Sequence, residues 1–260
     1  DGSTSVRHYD GVADDLLTAG LGQSGLQGAA PAYADALAPT AAELRRNAIY
    51  NNYRALVDFT TSGGFGRLFG PAVVADGALL PNDGKIAGTE YIAYADDGSG
   101  RQNVTLMVQV PDGFDPANAC IVSATSSGSR GIYGAIGTAG EWGLKRGCAV
   151  AYTDKGAGSD YFDLDARVGV RADGTTGGID AGGELAFVPD AVAGASGVAV
   201  KHAHSKDNPE ADWGRHVKQA AEFALHALDQ ALPAQAPFTF ANTRVIAVGL
   251  SNGGGAVLRA

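Results

Sequence analysis

The sequence lacks any run of apolar residues long enough to cross a bilayer, so no membrane-spanning segment is predicted. It also lacks a cluster of basic residues: its 19 lysines and arginines are scattered and are outnumbered by 28 acidic residues. The resulting net charge of -9 argues against nucleic acid as a partner, because phosphate contacts need concentrated positive charge. The same acidity disfavours docking on anionic lipid and is compatible with a neutral or apolar small-molecule substrate.

Motifs for common cofactors and metals are missing as well. There is no Walker A sequence, no His-Glu-x-x-His and no Cys-x-x-Cys, and the glycines at 64 and 66 lack the third glycine of a dinucleotide fingerprint. His202 and His204 form a His-x-His pair, which without a further ligand is better explained as ordinary loop histidines than as a metal site. We therefore expect no cofactor and no bound metal.

Cysteine is scarce: the chain has only Cys120 and Cys148, each at the start of a short apolar run. If these runs are neighbouring parallel strands, the two side chains lie together, and a disulfide and a pair of buried thiols are equally favoured. The chain begins at Asp1 rather than at a methionine, which indicates a mature, processed or trimmed chain. Together these features favour an exported protein, periplasmic or extracellular, over a cytoplasmic one.

The 260 residues are 45% hydrophobic, enough to build one large α/β domain or two small ones. Residues 40–58 predict a helix, with Thr40 as its cap and Glu43 three residues later. A shorter amphipathic stretch, residues 13–19, predicts one or two helical turns. Residues 1–60 are accordingly expected to form an N-terminal segment of helix and loop, ahead of a main domain in residues 61–260.

The main domain has the pattern of a mostly parallel sheet that opens with an antiparallel hairpin. The opening strands are predicted in residues 85–96 and 103–111, where apolar residues alternate. Strands and helices then alternate, which is typical of parallel α/β sheets. Strands are predicted at 119–125, 148–153 and 244–250, and helices within 134–147, at 212–232 and from 253 onwards. Residues 156–200 are rich in glycine and aspartate without a sustained period, and they are predicted to be an insertion.

A catalytic nucleophile is predicted in the segment Gly249-Leu-Ser251-Asn-Gly253, which matches the G-x-S-x-G nucleophile elbow. A β-branched strand leads into it and an apolar helix leads out, as the motif requires. The two glycines permit a turn sharp enough to expose the serine hydroxyl. Ser251 is the predicted nucleophile, and the backbone N–H of Asn252 is a predicted oxyanion donor.

A second oxyanion donor is expected from the loop in residues 125–134, where Ser129 and Arg130 are the candidates; an ordinary strand-to-helix loop remains the alternative. The loop at residues 60–70, with Phe65 and Phe69, and the insertion are either walls of an apolar acyl pocket or plain surface loops. Both explanations stay open.

The base and the acid that would activate Ser251 are missing from the expected place. In this type of hydrolase the chain order is serine, acid, histidine, yet none of the nine residues after Ser251 is Asp, Glu or His. If that order holds, both groups lie outside this chain. The five histidines that precede the serine are His8, His202, His204, His216 and His226.

Six segments together resemble one family, the D-(-)-3-hydroxybutyrate oligomer hydrolases. They are Leu56-Val-Asp-Phe-Thr-Thr-Ser-Gly-Gly-Phe-Gly66, Ile86-Ala-Gly-Thr-Glu-Tyr-Ile-Ala-Tyr-Ala-Asp96, Ala124-Thr-Ser-Ser-Gly-Ser-Arg-Gly131, Tyr152-Thr-Asp-Lys-Gly156, Lys201-His-Ala-His-Ser205 and Leu250-Ser-Asn-Gly-Gly254. The resemblance implies a bacterial esterase that cleaves short 3-hydroxybutyrate oligomers to the monomer, with Ser251 at the nucleophile position.

Members of that family are much longer than 260 residues, and the resemblance implies that their acid and base lie beyond Ala260. The chain is therefore expected to be the front portion of an α/β-hydrolase-type domain, incomplete at its C-terminal side. The remainder of the protein is expected either as a second chain, as after a nick, or outside this sequence.

The resulting expectation is a serine esterase that works through an acyl-enzyme on Ser251. Two alternatives stay open. A tannase-like or feruloyl-type esterase would share the elbow and differ in its acyl pocket. A non-catalytic hydrolase-like binding domain would need no base.

Overall fold

The computed structural model describes residues 4–56, 58, 60, 68–74, 78–96, 103–128, 130–157, 160–190, 193–202 and 208–260. This part of the chain has an α/β architecture. Its strands are β1 (Ser5–Tyr9), β2 (Gly88–Ala95), β3 (Val104–Pro111), β4 (Cys120–Thr125), β5 (Ala149–Thr153), β6 (Phe162–Asp163), β7 (Val168–Val170), β8 (Thr176–Gly178), β9 (Val198–Ala199) and β10 (Arg244–Gly249). Its α-helices are α1 (Gly22–Gln27), α2 (Ala41–Arg54), α3 (Glu141–Lys145), α4 (Trp213–Ala231) and α5 (Gly253–Arg259). Short 3-10 turns span Pro116–Asn118, Ile179–Ala181 and Pro209–Asp212, and a π-helical turn, Ile136–Gly140, leads into α3.

A six-stranded mixed sheet, ordered β1-β2-β3-β5-β4-β10, forms the centre of the fold. The opening pair β2 and β3 is antiparallel, as predicted, while β5, β4 and β10 run parallel to one another. The predicted strands and helices of the main domain are thus present, and the α/β class is confirmed. The sheet is mixed rather than mostly parallel, because the pairs β1–β2, β2–β3 and β3–β5 are antiparallel. The connection between β2 and β3, residues 97–102, lies outside the described residues.

The two faces of this sheet bury different sets of side chains, because neighbouring residues of a strand point to opposite sides. On one face Val122, Val150 and Tyr152 pack with residues of α2 and of the N-terminal segment. On the other face Leu106 and Val108 pack against the apolar side of α4. In the described part, no helix has both the length and the apolar content that crossing a bilayer requires.

Helix α2 begins where its capping residues predict. The backbone N–H of Glu43 donates to the Thr40 hydroxyl at 3.3 Å, and the Thr40 N–H donates to the Glu43 carboxylate at 2.8 Å. This capping box satisfies two N–H groups that the helix itself leaves unpaired.

The prediction of helical turns at residues 13–19 is wrong. This stretch is a turn around the buried carboxylate of Asp15, which accepts hydrogen bonds from the backbone N–H groups of Leu17, Thr18 and Gly20. A local aspartate of this kind competes with the helical hydrogen bonds. The helix of this region is instead α1, and the residues before the turn form β1, which pairs with β2.

The N-terminal 60 residues contribute β1 to the main sheet, and their apolar side chains join the same core as β4 and β5. The boundary near residue 60 stays a prediction. The segment predicted as an insertion, residues 156–200, contains a small antiparallel sheet with the order β8-β7-β6-β9. Its strands have only two or three residues each, too few to show a period in the sequence.

Cys120 and Cys148 form a disulfide, with Cα atoms 4.9 Å apart. Cys120 is the first residue of β4, and Cys148 directly precedes the neighbouring parallel strand β5. Of the two arrangements that the sequence left open, the structure therefore has the bonded one.

We expect the double variant Cys120→Ser/Cys148→Ser to lose about 3–4 kcal/mol of unfolding free energy, because the bond closes a loop between residues separated by 28 positions. Denaturant titration of the oxidised and reduced protein measures the loss. Reductant should destabilise the unsubstituted protein and leave the double variant unchanged. A loss below about 1 kcal/mol would contradict the expectation.

Candidate functional site

Ser251 lies in the turn that joins β10 to α5, at the carboxyl end of the parallel strands. Its side chain is exposed, and its backbone has φ = +54°. The left-handed region is costly for a residue with a Cβ, and such strain in a structure clusters at functional sites. The turn therefore holds a serine hydroxyl outside the sheet at an energetic cost that the surrounding contacts offset.

The glycines on either side of Ser251 are required by close backbone contacts. A Cβ on Gly253 would lie 2.2 Å from the carbonyl oxygen of Ser126, and a Cβ on Gly249 would lie 2.5 Å from the carbonyl oxygen of Gly253. Both distances are far below van der Waals contact, so no side chain fits at either position without movement of the backbone.

The loop after β4 lies directly beside this turn. In the register of β10 and β4, Gly249 pairs with Thr125, and the N–H of Leu250 donates to the Thr125 carbonyl at 2.9 Å. The side chain of Asn252 completes the contact, since its Oδ1 accepts from the N–H of Gly128 at 2.6 Å. The predicted nucleophile turn and the predicted oxyanion loop are thus hydrogen-bonded to each other.

The loop itself is held in shape by Ser126, whose hydroxyl is buried and is placed to donate to the carbonyls of Ser127 and Arg130 at 3.0 and 3.1 Å. Among the hydrogen bonds of the described residues, none uses the backbone N–H of Ser127 or of Asn252. These two amides belong to the loop and to the turn that the Gly128–Asn252 hydrogen bond joins.

Of the other predicted donors, Ser129 lies outside the described residues. The N–H of Arg130 donates to the Ser127 carbonyl at 3.2 Å, and its guanidinium donates to the side chain of Asn52 at 3.2 Å. Arg130 thus connects the loop to α2, and its oxyanion role stays a prediction.

The far end of the loop is anchored to the sheet by a buried ion pair. Tyr133 donates to the carboxylate of Glu90 at 3.2 Å, and the same carboxylate pairs with Arg45 of α2 at 3.1 Å. Gln109 of β3 donates to Glu90 at 2.8 Å. A buried carboxylate with this many donors is fully compensated, so the network joins the loop, α2 and the sheet rigidly.

Three of the described histidines have side-chain partners other than Ser251. His8 contacts Asp112 at 3.1 Å, the ring of His226 contacts Gln230, and His216 is buried with its Nδ1 2.9 Å from Gln219. Burial lowers the pKa of His216, so it is neutral at pH 7. His204 lies outside the described residues.

A buried acidic group that the sequence analysis missed follows β5. Asp154 is 4% exposed, and burial together with the nearby carboxylate of Asp160 raises its pKa to about 7. Asp160 lies 3.7 Å from the ammonium group of Lys201, which is fully buried and donates to the carbonyls of Asn103 and Ala186. The available signal was the polar Thr-Asp-Lys that follows an apolar strand at the carboxyl edge of the sheet.

Of the two phenylalanines predicted to line an acyl pocket, one packs against the core and the other lies outside the described residues. Phe69 packs against the core, with its ring 6.4 Å from that of Tyr53, whereas Phe65 is not among the described residues. In the described part of the chain, no group of three or more His, Cys, Asp or Glu side chains could hold a metal ion.

Fold and turn together define an α/β protein with an exposed serine at a strained strand-to-helix junction. The chain belongs to the 3HB-oligomer hydrolase family, whose model matches residues 2–260. It is 55% identical to the D-(-)-3-hydroxybutyrate oligomer hydrolase of Polaromonas naphthalenivorans over the whole chain and 39% of that protein. It is 56% identical to the protein of the same name from Paracidovorax citrulli, over 97% of the chain and 38% of that protein.

The chain thus spans well under half the length of the curated relatives it matches. No solved structure matches it significantly.

The close contact at Gly253 can be tested with two alanine variants, one at Gly253 and one at Gly255. Gly253→Ala should cost about 1–3 kcal/mol of unfolding free energy, because its Cβ would overlap the Ser126 carbonyl. Gly255→Ala is the control: nothing lies within 4 Å of its Cβ, and alanine favours a helix, so we expect no loss or a small gain. Thermal and denaturant unfolding of both variants measure the difference. Equal effects would contradict the contact.

The raised pKa of Asp154 predicts a pH-dependent stability. Because the folded state holds the proton up to about pH 7 and the unfolded state loses it near pH 4, stability from Asp154 is present at low pH and falls as pH rises through that window. Relative to Asp154→Asn, the unsubstituted protein should lose at most about 1.4 kcal/mol per pH unit there.

Unfolding titrations between pH 3 and 9 provide the measurement. Asp115→Asn is the control of opposite sign, because hydrogen bonds from Asn118 and the backbone lower the pKa of that exposed carboxylate. If the difference in unfolding free energy between Asp154→Asn and the unsubstituted protein stays constant with pH, Asp154 does not hold the proton in the folded state.

Proposed function

We propose that this chain is the nucleophile-bearing portion of a serine esterase of the α/β-hydrolase type, which hydrolyses short oligomers of D-3-hydroxybutyrate. The observation that carries the proposal is the exposed Ser251 at φ = +54°, between a parallel strand and a helix, with glycines where no Cβ fits. An antiparallel opening pair followed by the parallel strands β5, β4 and β10 supports the fold type. Family membership supports the substrate.

In the proposed reaction the Ser251 hydroxyl attacks an ester carbonyl. A base takes the hydroxyl proton as the bond forms, and the carbonyl oxygen becomes an oxyanion. When the tetrahedral intermediate collapses, the proton passes to the departing alcohol and a 3-hydroxybutyryl ester remains on Ser251. Water then attacks that ester, which releases the acid and restores the serine.

The oxyanion donors in this proposal are backbone amides. The N–H of Asn252 follows the nucleophile directly, and the N–H of Ser127 comes from the loop that Asn252 holds through Gly128. Each donor is expected to contribute about 2.7–4 kcal/mol to the transition state. Ser129 and Arg130 remain the other candidates from the same loop.

The base and its orienting acid are proposed to come from the part of the longer protein that this chain does not span. The chain covers 39% of the Polaromonas naphthalenivorans relative, so ample sequence remains to supply them. His8, His216 and His226 are hydrogen-bonded to Asp112, Gln219 and Gln230 rather than to Ser251, which supports the same proposal. Export is also proposed, since a disulfide persists in oxidising compartments.

Covalent labelling tests the nucleophile. In the full-length protein a fluorophosphonate probe should label Ser251, and Ser251→Ala should lower kcat on 3-hydroxybutyrate oligomers by about 10⁴-fold or more. Ser196→Ala, at an exposed serine of the inserted segment, is the matched control and should keep both labelling and activity. Labelling at another residue, or full activity in Ser251→Ala, would rule out the assignment.

A panel of esters separates the proposed substrate from the alternatives. A 3-hydroxybutyrate oligomer hydrolase should prefer the dimer and trimer over galloyl and feruloyl esters of similar size. A binding domain without chemistry would bind oligomers and hydrolyse none of the panel.

A further inference from the structure

Asn252 follows the proposed nucleophile directly and stands at the start of α5. Asparagine is favoured at such a position because its side-chain oxygen ordinarily accepts a hydrogen bond from the first N–H groups of the helix. The side chain of Asn252 makes no such bond to α5. Its Oδ1 instead accepts from the N–H of Gly128, 124 positions earlier in the sequence, at 2.6 Å. The carboxamide therefore joins two distant segments rather than capping its own helix.

Gly128 fits closely against this carboxamide. A Cβ on Gly128 would lie 2.4 Å from Nδ2, 2.8 Å from Oδ1 and 3.0 Å from Cγ of Asn252. The φ of Gly128 lies outside the left-handed region, so its backbone conformation would accept a side chain. The close approach of Asn252 is thus the reason for a glycine at this position.

The hydrogen bond holds one end of a peptide unit whose other end is already engaged. This unit consists of the carbonyl of Ser127 and the N–H of Gly128. The carbonyl lies 3.0 Å from the hydroxyl of Ser126 and accepts from the N–H of Arg130 at 3.2 Å. Because the N–H end is bonded to Asn252, the planar unit cannot rotate without breaking a hydrogen bond.

The preceding peptide unit carries the N–H of Ser127, which no hydrogen bond among the described residues uses. The carbonyl of this unit belongs to Ser126 and lies against Gly253, where a Cβ would be only 2.2 Å away. A planar peptide unit turns only when the dihedral angles on both of its sides change. Gly253 restricts the unit on one side, and the bond from Asn252 restricts the unit that follows. The direction of the Ser127 N–H therefore depends on both contacts.

The other contacts of the loop lie outside this peptide unit. On the strand side the N–H of Ser126 donates to the carbonyl of Thr153 at 3.0 Å. On the far side Arg130 donates to Asn52 of α2 at 3.2 Å. Among the described residues, Asn252 is the acceptor that the N–H of Gly128 uses, so its removal would free that end of the unit.

We propose that the Asn252 side chain is a positioning residue, which acts through Gly128 to hold the N–H of Ser127. Held there, this amide stabilises the oxyanion that forms during attack by Ser251. The inference rests on the proposed function, which supplies the reaction. It gives the side chain of Asn252 a role separate from that of its own backbone N–H, which every side-chain substitution retains. The loss on removing the side chain is bounded by that of one whole oxyanion donor, about 10²–10³-fold in kcat.

The test uses the full-length protein and short 3-hydroxybutyrate oligomers. Asn252→Ala should lower kcat about 10–100-fold and change KM less than about 3-fold, because the amide acts on charge that develops only in the transition state. A trifluoromethyl ketone analogue, which forms a tetrahedral oxyanion on a serine, should bind about 10–100-fold more weakly. The affinity for the product 3-hydroxybutyrate should change less than about 3-fold, a contrast that a merely structural role would not produce.

Gly128→Ala breaks the same contact from the opposite side, since its Cβ would displace the carboxamide, which is the movable end of a side chain. It should lower kcat by a similar factor and leave KM nearly unchanged. The double variant Gly128→Ala/Asn252→Ala should be no slower than the slower single variant, because both changes remove one interaction. Losses that multiply in the double variant would overturn the proposal.

Asn242→Ala is the matched control. The Oδ1 of Asn242 accepts from the backbone N–H of Thr239 at 2.7 Å, in an exposed turn at the opposite end of β10 from Ser251. The variant therefore loses the same kind of hydrogen bond. Asn242→Ala and Asn252→Ala should both lose a little thermal stability, whereas only Asn252→Ala should lower kcat. An unchanged kcat in Asn252→Ala, or a loss that appears in KM alone, would overturn the proposal.

Failure of the proposed function gives a different result. If the unsubstituted protein neither hydrolyses the oligomers nor reacts at Ser251 with a fluorophosphonate, the proposed function is wrong, and the positioning role is wrong with it. If Ser251 reacts but the oligomers are not hydrolysed, only the substrate is wrong, and a p-nitrophenyl ester serves for the same comparison of kcat. If Asn252→Ala and Gly128→Ala are as fast as an active unsubstituted protein, only the positioning role is wrong.

Discussion

The candidate site depends on one steric constraint, the contact between Gly253 and the carbonyl of Ser126. At this point the turn after β10 approaches the end of β4 so closely that a single Cβ would overlap the backbone. The contact sets the position of two backbone segments at once, the strained turn with Ser251 and the loop that Asn252 holds through Gly128. The exposed Ser251 and the backbone amides of Ser127 and Asn252 belong to these two segments, which the parallel register of β10 and β4 places side by side.

Much of this arrangement could be predicted from local patterns. Alternating apolar residues located β2 and β3, the Thr40–Glu43 pair located the start of α2, and the glycines around Ser251 located the turn. Such features depend on residues close together in the chain, so their signals are visible in the sequence. For Cys120 and Cys148 the sequence left two alternatives, a disulfide or two buried thiols, because the two residues come together only when the sheet forms.

Most of the missed features depend on residues far apart in the sequence. β1 has no apolar pattern, because it is an edge strand with exposed side chains, and it exists only through its pairing with β2. Asp15 overrides a helical pattern through hydrogen bonds that include the N–H of Ile86. The ion pair of Arg45 with Glu90 and the buried carboxyl group of Asp154 likewise arise only when separate segments pack together.

These parts fit a division of labour within a longer hydrolase. In the proposed reaction, the residues of this chain position the nucleophile and offer backbone amides to the developing oxyanion, while the proton-transferring groups lie elsewhere in the longer protein. The central claim is that Ser251 carries the acyl group. Rapid acid quench of the full-length protein with a 3-hydroxybutyrate oligomer, followed by peptide mass mapping, tests it most directly. The account predicts one 3-hydroxybutyryl group on the peptide that contains Ser251; an acyl group on another residue, or turnover without any acylated peptide, would contradict it.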